Sequence, residues 1–143
     1  MNAQVTKIDL IFTAMNLTQQ RFQGYCNTPF LWKEKLLNLQ QFNFEEPNSI
    51  IATIIPDTIR LGNYVEQLVF HQLQQNKEID ILLKNKQIFN NKITLGEIDC
   101  LLLQNKQPIH LEIAYKFYLY DATVGNPSLD PWIGPNRRDS IIK

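Results

Sequence analysis

The spacing of apolar residues changes once in the second half of this chain, and that change constrains the fold more than any other feature. From Thr58 to Gln75, Ile59, Tyr64, Val65, Leu68, Val69 and Leu73 recur at three- and four-residue steps, which lays one apolar face along a helix. Three strand-like runs follow: Ile79 to Phe89, Thr94 to Leu103 and Ile109 to Leu119. Their connections, Asn90-Asn91-Lys92 and Gln104-Asn105-Lys106-Gln107-Pro108, are short and polar, as hairpin loops are. The pattern predicts an α+β protein, a mainly antiparallel β-meander preceded by a helix and flanked by others.

The ends of the chain say less. Ile8, Leu10, Ile11, Phe12 and Met15 predict an amino-terminal helix, and Leu31, Trp32, Leu36, Leu37 and Leu39 a second, short one, with a turn at Asn27-Thr28-Pro29-Phe30. Residues 1–57 thus read as a helical part and 58–120 as the helix-plus-meander core. The segment Asp121 to Asn136 is rich in proline and glycine and reads as a loop. Asn136 is placed to cap a helix that starts at Arg137 and reaches Lys143 after about two turns, as in a fragment of a longer protein.

At 143 residues one domain is expected, with chain enough for a core. Hydrophobic residues at 44% and charged residues at 20% are those of an ordinary globular protein. The formal net charge of zero excludes a strong overall field toward nucleic acid, so such binding would need a local basic patch. Cys26 and Cys100 lack ligand-like spacing, which argues against a disulfide framework or a structural zinc site. There is no signal-peptide pattern and no apolar run near the roughly 20 residues that span a bilayer. A cytoplasmic protein without a membrane partner is the expectation; the oligomeric state is open.

Chemistry concentrates in two stretches, Gly96-Glu97-Ile98-Asp99 and His110-Leu111-Glu112-Ile113-Ala114-Tyr115-Lys116. Strand alternation places Glu97, Asp99, Leu101 and Leu103 on one face and Ile98, Cys100 and Leu102 on the other. In the next run it places His110, Glu112, Ala114, Lys116 and Tyr118 together, with Ile109, Leu111, Ile113, Tyr115, Phe117 and Leu119 buried opposite. Paired strands would bring Asp99 and Glu112 within reach of one divalent ion. Magnesium, or manganese in its place, takes one or two carboxylates and completes its shell with waters. Such an ion removes the repulsion between the acids and stabilises charge on a scissile phosphate. Lys116 is the candidate to orient a nucleophilic water, and Glu66, from the helix, to hold one. Glu97 and His110 are accessory candidates. Arg137 and Arg138, at a helix start, are candidate phosphate contacts.

The order of these parts resembles the PD-(D/E)XK nuclease superfamily: Gly62-x-x-x-Glu66 on a helix, then Gly96-Glu97-Ile98-Asp99, then a strand with Glu112 and Lys116. Within it, Leu95 to Asp99, His110 to Leu119 and Trp132-Ile133-Gly134-Pro135-Asn136-Arg137-Arg138-Asp139 resemble a bacterial group known as domain of unknown function 1853, over roughly Leu61 to Lys143. The resemblance implies a restriction-endonuclease-like core and metal-dependent hydrolysis of DNA or RNA. This sequence departs from the superfamily at Ala114, where the common motif has lysine. Lys116 is two residues further, about 13 Å from Glu112 along an ideal strand rather than about 6.7 Å. A nuclease fold that serves as a nucleic-acid or protein-binding module without cutting is the alternative. Each acid also has a plainer reading: Glu97 and Asp99 as the solvated face of a hairpin, Glu66 as a surface helix residue, His110 as a backbone-bonded strand residue.

Overall fold

A computed structural model of the chain describes residues 6–30, 32, 35, 38–44, 50–123 and 132–134. The chain divides into two compact units, Met1–Ile113 and Ala114–Lys143.

In the first unit, α1 (Lys7–Cys26) opens on a reciprocal cap. The Asp9 amide donates to Thr6 Oγ1 at 3.2 Å, and the Thr6 amide donates to Asp9 Oδ2 at 3.0 Å, which satisfies two amides that a helix start leaves free. These two hydrogen bonds to its carboxylate hold the Asp9 carboxyl below its ordinary range. The helix ends at the expected turn, where the Asn27 amide reaches back to the Gln23 carbonyl. Helix α2 (Leu61–Gln75) matches the apolar periodicity but starts three residues after Thr58, because residues 57–59 form a turn. Among the described residues, the second short helix expected around Leu31–Leu39 has no helical turn; most of its positions lie outside them.

Helix α2 is buried on two sides. Tyr64 and Leu68 join Phe22 of α1 and Ile51 and Ile55 of the intervening segment in one apolar cluster. The Gln19 side chain anchors that segment by accepting the Ile51 amide at 2.9 Å. Beside it, Tyr25 Oη donates to the buried Gln72 Oε1 at 2.8 Å, and the phenol is pushed well above its ordinary range, mainly by burial. His71 sits edge-on to Phe22 with ring centroids 5.4 Å apart, a packing role.

The meander follows as an antiparallel sheet in the order β1-β2-β3, from Ile79–Asn90, Ile93–Gln104 and Gln107–Leu111. Both connections are two-residue hairpins. Asn105 and Lys106 have φ of 49° and 65°, and Asn91 has φ 56°. Positive φ at both central residues is what a type I′ turn requires to match strand twist. On β2, Cys100 and Leu102 are fully enclosed, as alternation predicted, while Cys26 on α1 is exposed.

The third strand departs from expectation. It ends at Leu111 rather than Leu119, because the next amide is taken by a side chain: the Ile113 N–H donates to Asp99 Oδ2 at 2.8 Å. In continued register Ile113 would have bonded to the β2 main chain opposite Ile98. The line of apolar residues expected to be buried therefore breaks. Ile109, Leu111, Ile113 and Tyr115 are half-buried, and Phe117 and Leu119 are exposed.

In the second unit, β4 (Leu119–Tyr120) pairs antiparallel with β5 (Trp132–Ile133), so the predicted loop contains a short strand. Tyr115 and Phe117 stack edge to face at 5.1 Å.

Candidate functional site

Three carboxylates from two elements share one electrostatic neighbourhood. Glu66 lies on α2, half-buried, one residue past Tyr64 and Val65 in the apolar stripe. Glu97 and Asp99 lie on β2, the first exposed and the second half-buried. The Glu66 carboxyl is pushed above its ordinary range. Burial is the largest cause; the nearby Asp99 and Glu97 charges push the same way, and a hydrogen bond from Asn85 opposes them. The position of Glu66 beside the buried stripe gives it this reach over the sheet.

Asn85 is a member that the sequence reading did not single out. Its Nδ2 donates to Glu66 Oε2 at 2.8 Å from a backbone at φ 47°, in the left-handed region. A signal was present: asparagine is disfavoured inside a strand, and here it interrupts one between two lysines. Asparagine is also among the few residues that tolerate this conformation.

Asp99 has two roles. Its Oδ2 accepts the Ile113 amide and so fixes the chain as it leaves β3. Residue 112 follows β3 at the position opposite Asp99, but the Glu112 side chain pairs with His110, Oε1 to Nε2, at 2.6 Å. The shared strand face expected for His110 and Glu112 is thus seen in their contact. Lys116 is exposed and belongs to the second unit, beyond the end of β3. Arg137 and Arg138 lie outside the described residues, as does the predicted helix start at Asn136.

The donor set that could hold a metal is made of hard oxygens, from Glu66, Glu97, Asp99 and the Asn85 amide, and suits magnesium or manganese rather than zinc. Among the described residues, no group of three or more His, Cys, Asp or Glu could hold an ion alone. An ion here would use one or two carboxylates and keep its waters, which is the habit of magnesium.

A family model described as domain of unknown function, DUF1853, matches residues 11–143. The chain belongs to the DUF1853 family. The match extends well before Leu61, so the amino-terminal helix α1 lies almost entirely within it. Searches of curated proteins and of solved structures each returned no significant match. For this DUF1853 chain the α+β class stands on the two helices and the antiparallel sheet. None of its described helices is long and apolar enough to cross a membrane.

Proposed function

We propose that this DUF1853 protein is a metal-dependent nuclease with a PD-(D/E)XK-like site and a restriction-endonuclease-like core. The observation that carries the reading is the meeting of Glu66 from α2 with Asp99 and Glu97 from β2. Among the described residues of that unit, no lysine or arginine forms an ion pair with any of the three. Acids brought together without a protein cation repel one another, and a bound divalent ion relieves that cost.

Asp99 and Glu112 are the residues that would hold Mg2+ or Mn2+. When bound, the ion supplies Lewis-acid stabilisation to the phosphate and a more acidic water. Glu66, with its raised proton affinity, is suited to accept a proton from an attacking water. Lys116 would orient that water and share the phosphate charge. The backbone of Ile113 holds Asp99 in one rotamer, so the acid is preorganised before any ligand arrives.

The test is thermal unfolding with and without Mg2+ or Mn2+, alongside cleavage of single- and double-stranded DNA and RNA. Both ions should raise the Tm of the wild type. Asp99→Asn, which keeps an acceptor for the Ile113 amide, should lose the rise and any cleavage. A wild type that shows neither metal stabilisation nor cleavage overturns the reading.

A second reading has its own observation. Glu112 is engaged by His110, and Ala114 stands where the superfamily has lysine. A nuclease fold that binds nucleic acid without cutting would show salt-sensitive binding that survives Asp99→Asn.

A further inference from the structure

We infer that Asn85 is a positioning residue of this site, placed by a β-bulge that removes a lysine from Asp99 and leaves the carboxylates to an external cation. The inference rests on the nuclease reading above and explains how its cation site is kept open.

The register carries the argument. Ile81 pairs with Leu102, but Leu83 pairs with Leu101, so β1 holds one extra residue at Leu82. A one-residue change of register moves every later side chain to the other face. Without the extra residue, Lys84 would stand opposite Asp99, where a cross-strand ammonium would neutralise the acid. With it, Lys84 pairs with Cys100, and its Nζ lies 4.6 Å from the centroid of the Phe70 ring. The lysine is thus occupied by an aromatic face on α2. Asn85, between the pairs Lys84↔Cys100 and Lys86↔Ile98, takes the place opposite Asp99.

An amide there does what a lysine would not. It donates to Glu66 Oε2 and orients that carboxylate without cancelling its charge. The left-handed backbone at Asn85 is what lets a residue on β1 turn its side chain to the helix. The bulge and the asparagine act together: the first removes the cation, and the second holds the acid that remains.

Two variants of the full chain separate these roles. Asn85→Gly keeps the left-handed backbone and deletes the amide. Asn85→Lys returns a cation to the position, with Asn85→Gln as a neutral control for backbone strain. Mg2+ and Mn2+ affinities are measured by calorimetric titration, and Tm is measured without metal. Asn85→Gly should bind either ion about 10-fold or more weakly than the wild type, the usual cost of removing a residue that orients a ligand. Asn85→Lys should melt above Asn85→Gln without metal, yet lose the metal response. A purely structural role would not give that opposition. Wild-type affinity in both Asn85→Gly and Asn85→Lys overturns this inference and leaves the nuclease reading standing. A wild type that neither binds metal nor cuts nucleic acid removes the reading and the inference together.

Discussion

Glu66 is less acidic in the folded chain than in the unfolded one, because burial and then the Asp99 and Glu97 charges outweigh the opposing Asn85 hydrogen bond. Over the interval between the two protonation points, the folded state holds a proton that the unfolded state has released. Stability therefore falls as pH rises through that interval and stays reduced at neutral pH. Glu66→Gln keeps an acceptor for Asn85 and removes the charge. Its Tm at pH 7 should exceed that of the wild type by about 1–3 °C, a modest figure because the site is partly solvated. The difference should vanish at about pH 4, below the ordinary glutamate value of 4.5. Melts at the two pH values check the sign, and an advantage that grows toward acid would contradict it.

At the scale of elements, the hairpins make the sharpest statement. Asn105-Lys106 adopts positive φ at both positions, but only asparagine takes it readily; lysine there carries the steric conflict of its Cβ. Lys106→Gly completes the preferred Asn-Gly turn and should raise unfolding free energy by about 0.5–1 kcal/mol. The measure is a higher urea midpoint at unchanged m-value.

The same elements show what the sequence made legible. The α2 stripe, the first two strands and both hairpins followed from apolar spacing and polar links, since burial leaves a periodic trace. The enclosure of Cys100 and Leu102 was legible for the same reason. The bulge at Leu82 was not, because a single extra residue in an apolar run leaves no periodic mark. The end of β3 was also hidden. It depends on one hydrogen bond from Ile113 to a side chain fourteen residues earlier, whereas alternation alone carries the strand to Leu119. Of the site, Glu66 and Asp99 were found as acids near core-forming residues. Asn85 was missed because a neutral amide in an asparagine-rich chain carries no charge pattern.

At the scale of the molecule, the buried residues belong to one unit. Phe22, Ile51, Ile55, Tyr64, Leu68, Leu73, Cys100 and Leu102 all lie within Met1–Ile113, as do Glu66, Asp99 and Glu112. Lys116 lies outside it. A polypeptide of residues 1–113 should therefore unfold cooperatively and keep a Mg2+-dependent rise in Tm, but should not cleave nucleic acid. Circular dichroism melts and a cleavage assay check the two halves separately. Cleavage by the shortened chain would remove Lys116 from the reaction.

The unequal surroundings of the two cysteines give the protein a built-in gauge of its own integrity. A thiol reagent meets Cys26 on the outside of α1, whereas Cys100 is sealed inside the sheet and becomes reactive only when the strands part. Counting equivalents consumed against time would follow the opening of the sheet beneath the carboxylates with no label added, residue by residue, in the native molecule.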